Sequence, residues 1–180
     1  MTLKQLLDSL KGLEKEYSDD KKTLFKAMLT ALSDYLSEAF CVYQDEIALI
    51  MKDRDNFSSF VLPINFLNKG NSFPVSKATV TKDVFEKGRP VMSNNASKVY
   101  RLSFYEMAKA TAKKPVPIQK FISVPLKHEN SVFAVLWISR RGSNLQEAGK
   151  DFTETDISNT EHLMSIIEPF LYRAKPECFV

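Results

Sequence analysis

The sequence is poor in the residues that build specialised chemistry. Its 180 residues include two cysteines, Cys41 and Cys178, and two histidines, His128 and His162. Two widely spaced thiols make neither a zinc site nor a disulfide framework, and both are read as reduced thiols. Glycine occurs five times, and there is no phosphate-cradling glycine loop, serine nucleophile elbow or HExxH helix. No catalytic residue, metal ligand or cofactor is therefore assigned, and the chain is expected not to be an enzyme. The longest nearly apolar run, Val132 to Ile138, is far too short to span a bilayer. The opening stretch MTLKQLLDSLKGLEKEY carries lysine and glutamate throughout and lacks the apolar core of a secretory leader. A cytoplasmic chain with no membrane partner is the expectation. Nucleic acid is set aside as well: 25 basic against 22 acidic side chains leave a net charge of +3, without the basic excess such a surface shows.

What is present is an ordinary globular composition, 44% apolar and 26% charged, in a chain long enough to bury its own core without staples. Leu3, Leu6, Leu7, Leu10 and Leu13 form a narrow helical stripe. Residues 1–20 are read as an amphipathic arm that needs a surface, either its own domain or a second subunit. Ser18-Asp19-Asp20 supplies helix-start chemistry, and Leu24, Met28, Leu32, Leu36 and Phe40 mark a helix over about 21–39. The period then changes. Ile47 to Met51 and Phe57 to Leu62 flank a turn and read as a hairpin whose sheet is covered on both faces. Residues 68–72 read as a loop. Ser76 or Thr79 caps a short helix ending at Gly88, and Pro90-Val91-Met92 reads as an edge strand.

Residues 94–120 are irregular: Asn94-Asn95 suggests a turn, Leu102 to Ala112 a helix, and Pro115 and Pro117 its end. Such a segment inside a compact domain is often a binding loop or lid. Phe121 to Leu126 and Val132 to Ser139 then form an apolar hairpin around a polar turn at 127–131. Thr153 with Asp156 makes a capping box for the last helix, with Phe152 and Ile157 at the staple positions. That helix carries two apolar stripes, one through Ile157, Thr160, Met164, Ile167 and Leu171, the other through Leu163, Ile166 and Phe170. Pro169 is expected to kink or end it. A domain over 21–175, with a short tail at 176–180, accounts for the rest of the chain.

Three segments in order resemble the GAF domain family. Glu86-Lys87-Gly88-Arg89-Pro90 looks like the family's helix ending in a Gly-x-Pro turn before a strand. Ile122-Ser123-Val124-Pro125-Leu126, a charged turn, and Val132 to Ile138 look like its VPL…GVL hairpin. Asp151-Phe152-Thr153-Glu154-Thr155-Asp156 is similar to its FT..D start of the final helix. The resemblance covers about Leu24 to Ala174. It departs at Val132-Phe133-Ala134, where the family commonly has glycine. It also lacks the distal half of the cyclic-nucleotide signature and the cysteine loop that attaches bilins. The resemblance implies an α+β fold of the profilin/PAS-like kind: a central antiparallel sheet of about six strands, with N- and C-terminal helices on one face. Pocket loops and short helices would lie on the other. Many members dimerise through their terminal helices, so a homodimer is expected, with the second stripe of the last helix meeting the partner.

The site residues follow from this frame. Asn94, Asn95 and Ser123 are the polar groups expected to face a cavity, since a few placed polar groups orient a small molecule; the plainer reading gives Asn-Asn to a turn and Ser123 to the backbone. Tyr100, Arg101, Phe104 and Tyr105, with Lys109, Lys113, Lys114 and Lys120, read either as a lid offering charge and ring faces to an anionic planar ligand or as a solvated amphipathic helix with its aromatics on the sheet. His128 is read as a solvated turn histidine and His162 as a surface one. Three functions remain in view. The first is a sensory or regulatory domain that binds an unidentified small molecule and relays binding through its terminal helices to a signalling partner. The second is an interaction or dimerisation module with a vestigial pocket. The third is an enzyme resembling the family's free methionine sulfoxide reductases, for which Cys41 would be the internal thiol.

Overall fold

A computed structural model describes residues 1–52, 57–67, 72–74, 79–99 and 116–176. Two helices open the chain, α1 (Leu3–Glu16) and α2 (Lys21–Phe40). The strands β1 (Ile47–Lys52), β2 (Phe57–Leu62) and β3 (Ser72–Pro74) follow. Helix α3 (Val80–Lys87) leads to β4 (Val91–Ser93), the long hairpin β5 (Ile118–His128) and β6 (Ser131–Arg141), and the final helix α4 (Glu154–Ala174). The six strands form one antiparallel sheet in the order β3-β2-β1-β6-β5-β4. This is the α+β fold that the resemblance implied.

Strand alternation sorts the core into two clusters, because successive side chains point to opposite sheet faces. Ile47, Leu49, Met51, Ile122, Val124, Leu136 and Ile138 pack with α1, α2 and α4. Ala48, Ile50, Phe60, Phe121, Val135 and Trp137 pack with α3. The terminal helices therefore share one face, and the opposite face belongs to α3. Both faces are covered, as the successive apolar positions of the first hairpin required.

The helix ends are set by their caps. Asp20 accepts the Thr23 amide of α2 at 3.0 Å and its hydroxyl at 2.6 Å. Thr79 caps α3 through the Lys82 amide, and Gly88 ends it at φ 58°, the left-handed conformation that glycine adopts without penalty. Thr153 and Asp156 close the reciprocal box of α4, and Phe152 and Ile157 are both buried beside it.

Three expectations are corrected and one open alternative is decided. Helix α4 runs through Pro169 to Ala174. Proline costs roughly 3 kcal/mol inside a helix, but Ile167 and Leu171 on either side are each 1% exposed. Burying two such side chains offsets that cost at about 1.5–3 kcal/mol each. Strand β3 begins at Ser72, inside the stretch read as a loop. Three residues ending in proline suffice at a sheet edge, where no ladder donor is needed. The second hairpin is longer at both ends than its apolar runs, so its turn is only Glu129-Asn130, with Glu129 at φ 53°. Finally, α1 finds its surface within its own chain. It packs on α2, leaves Leu6 and Leu10 0% and 1% exposed, and Glu14 bridges to Arg173 of α4 at 2.7 Å. The second stripe of α4 is consequently partly covered: Leu163 is buried and Ile166 and Phe170 are half-buried. Among the described residues no helix is long and apolar enough to cross a membrane.

Leu10→Ala should lower the urea-unfolding free energy by about 2–5 kcal/mol, the range for emptying a buried leucine site. The bonds from Thr23 hold the Asp20 carboxyl below its ordinary value. A depressed carboxyl contributes stability that is present above its unfolded-state value and is lost as pH falls through the folded one. Asp20→Asn keeps a good cap without that titration. A melting-temperature series against pH should therefore show a shallower acid limb than the wild type.

Candidate functional site

The face away from the terminal helices centres on Trp137, the chain's single tryptophan. Its register partners are Ala48 on β1 and Ser123 on β5. The Phe121 ring stacks on it with centroids 4.6 Å apart. The indole N–H donates to the Thr81 hydroxyl at 3.1 Å, which ties β6 to the first turn of α3. Ile50, Phe60, Val135, Val84 and Phe85 extend the apolar surface. At its edge the Lys52 ammonium lies 5.2 Å from the Phe85 ring centroid. Two buried hydroxyls on this face, Ser123 and Ser58, are 0% exposed and have no hydrogen-bond partner among the described residues. A buried polar group left without a partner costs about 1–3 kcal/mol, so each marks a position where an added acceptor or donor would be favourable. Ser123 sits beside the Trp137–Phe121 stack, which makes it the polar group best placed against a flat ligand.

The other anticipated site residues divide. Asn94 spends its amide on the backbone of Phe152, accepting the N–H at 2.8 Å and donating to the carbonyl at 2.9 Å. It fastens edge strand β4 to the start of α4 instead of facing a cavity. Asn95 accepts the Ser97 hydroxyl at 2.6 Å and donates its N–H to Ser93, the turn chemistry of the plainer reading. Tyr100, Arg101, Phe104 and Tyr105 lie outside the described residues, as do Lys109, Lys113 and Lys114. Lys120 belongs to no lid. It points to the helix side of β5, 5% exposed, with its ammonium 2.7 Å from Asp151 and bonded to the Gly149 carbonyl. His128 is not a solvated turn residue either. It ends β5, stacks on Tyr172 at 3.5 Å between centroids, and holds Glu168 at 2.6 Å through Nδ1. Trp137, Thr81 and Ser58 escaped sequence reasoning. The signal for Trp137 was available, since alternation along Leu136-Trp137-Ile138 sends it to the face opposite its neighbours. Thr81 carried none, because its partner is 56 residues away.

Cys41 is exposed and caps α2 at φ 50°, in the helix layer. Among the described residues no group of three or more His, Cys, Asp or Glu side chains converges as a metal site. The helix layer holds an open groove of about 240 Å³ between α1, α2 and α4, walled by Leu3, Tyr35, Phe40 and Leu163.

A family model described as the GAF domain matches residues 18–171. The chain belongs to the GAF domain family. Solved structures of similar fold agree. The GAF domain of a phosphoenolpyruvate-protein phosphotransferase from Coxiella burnetii is 14% identical, with a TM-score of 0.65 and coverage of 97% of this chain and 96% of that one. The corresponding Acinetobacter domain is 18% identical, with a TM-score of 0.62 and 94% of each chain covered. Free methionine-R-sulfoxide reductase from Neisseria meningitidis, solved in complex with its substrate, is also 18% identical, with a TM-score of 0.59 and coverage of 96% and 91%. At these identities the likeness is one of fold. No curated protein matches the sequence. GAF domains are typically small-molecule-binding modules of signalling proteins, and in this one the sheet face carrying Trp137 is the candidate site.

Thr81→Val keeps the shape of the side chain but removes the hydroxyl to which the indole N–H donates. Unfolding monitored by circular dichroism should show a loss of about 1–3 kcal/mol, accompanied by a shift of the Trp137 emission maximum.

Proposed function

We propose that this GAF domain is a sensory or regulatory module that binds a small organic molecule on the Trp137 face of its sheet. The observation that carries this reading is the pairing of an unpartnered buried hydroxyl, Ser123, with the Trp137–Phe121 stack. An apolar ring surface with one or two placed polar groups is how small-molecule sites gain both affinity and orientation. A flat, largely apolar ligand with one hydrogen-bonding group is the chemistry that fits. In this reading the terminal helices pass the binding event to a signalling partner, and two copies meet through the helix layer, where the groove beside Leu163 lies open.

A reductase reading draws less support. Thiol chemistry needs an attacking thiolate and a resolving partner near the substrate, whereas Cys41 stands in the helix layer and the sequence holds one other cysteine.

A metabolite panel screened by Trp137 fluorescence and thermal shift tests the ligand reading. A bound compound at 100 times its dissociation constant should add about 2.7 kcal/mol of stability. Ser123→Ala should leave the ligand-free protein as stable or slightly more so, because it removes a hydroxyl with nothing to bond. It should weaken the hit by about 0.5–1.5 kcal/mol, the net value of one hydrogen bond. A panel that moves neither signal, or a hit indifferent to Ser123→Ala, would argue against this site. Light scattering on the full chain reads the assembly directly, and a monomer mass at micromolar concentration would remove the dimer.

A further inference from the structure

The tip of the β5–β6 hairpin is gripped from both sides of the sheet by helices that do not otherwise meet there. On the candidate-site face, Gly88 at the end of α3 sits against it: a Cβ at that position would lie 3.2 Å from Lys127 Cε and 3.6 Å from Val132 Cγ2. On the opposite face His128 stacks on Tyr172 of α4 with an interplanar angle of 15° and holds Glu168, whose side chain is only 14% exposed. Tyr172 is further fixed by the edge-on ring of Phe133 at 5.3 Å and by the Lys175 ammonium 4.2 Å from its centroid. A register shift makes this double grip available. Leu126 pairs with Ala134, but Lys127 pairs with Val132, so Phe133 is the extra residue of a bulge. Such an insertion re-aims the side chains beyond it. Here it sends Val132 to the α3 cluster while Phe133 joins Ala134 in the cluster of the terminal helices.

We propose that this hairpin tip is a mechanical coupler, joining α3 on the candidate-site face to the last two turns of α4 on the other through Gly88–Lys127/Val132 and His128–Glu168/Tyr172. The other end of α3 holds Trp137 through Thr81. A ligand that displaces α3 therefore moves the tip, and the tip moves the end of α4. The charged groups around the clamp are Glu168 and Lys175 from α4, with Lys127 and Glu129 from the hairpin itself. The proposal rests on the ligand reading for its regulatory meaning, but the coupling is a property of the protein alone and is measurable without any ligand.

Packed elements carry such coupling only where both sides bias the same element, and it must be reciprocal. Amide hydrogen exchange on the full chain, with Trp137 emission as a second readout, examines both directions. His128→Ala should speed exchange in Val80–Lys87 of α3 on the order of fivefold and shift Trp137 emission, although His128 touches neither, with α2 exchange unchanged. Thr81→Val should speed exchange at the end of α4, residues 168–174. Glu14→Gln is the control: it breaks the Arg173 bridge at that same helix end without touching the hairpin, and should leave α3 at the wild-type rate. Acceleration confined to the tip and α4 in His128→Ala overturns the coupler, and so does a Glu14→Gln variant that loosens α3 equally. Should His128→Ala fail to fold, Glu168→Gln decides: faster α3 exchange supports the coupling and no change removes it. A metabolite panel that moves nothing would sink the ligand reading and leave this result standing, while a failed coupling would leave ligand binding intact.

Discussion

The structure depends on the two-sided burial of one antiparallel hairpin. Strands β5 and β6 send Ile122, Val124, Leu136 and Ile138 to the terminal helices, and Phe121, Val135 and Trp137 to α3. Burying each large side chain contributes about 1.5–3 kcal/mol, and because the side-chain period is two, a one-residue slip would exchange the two faces wholesale. Register, layer order and the location of the candidate site are therefore a single constraint. Trp137 can face α3 only because Leu136 and Ile138 face α2 and α4.

Polar chemistry is distributed unevenly over that frame. On the helix side Lys120 is held by Asp151 and Gly149, and Arg140 donates one guanidinium N–H to the Phe40 carbonyl while its buried Nε has no partner among the described residues. On the other side Ser58 and Ser123 carry hydroxyls with no partner among the described residues. The two open hydroxyls lie on the face of the candidate site, and the terminal helices cover the other face. The link between them runs through the ends of the elements, where Thr81, Gly88 and His128 join layers that strand alternation keeps apart.

Much of this was legible residue by residue. The Thr153–Asp156 box, the Thr79 cap, the Gly88 stop and the two-faced strands are local features whose cause lies within a few positions, and each stands where its chemistry placed it. What was illegible has its partner far away in sequence. Local pattern puts Asn94 in a cavity, yet Phe152 holds it; it groups Lys120 with the 94–120 segment, yet Lys120 answers to Asp151; it leaves His128 in solvent, yet Glu168 and Tyr172 clamp it. Polar residues of a turn or strand end look alike in sequence whether they meet water or a helix packed across the sheet.

The sequence by itself determined the order of the elements other than β3, the caps and the alternation that fixes which residues share a face, because these follow from backbone geometry and the periods of helix and strand. Only the tertiary structure decided that α1 lies on its own chain, that α4 continues past Pro169, and that Trp137, Thr81 and Ser123 meet. Those outcomes turn on which apolar surfaces and hydrogen-bonding groups find each other across long stretches of chain, and no local pattern encodes that choice.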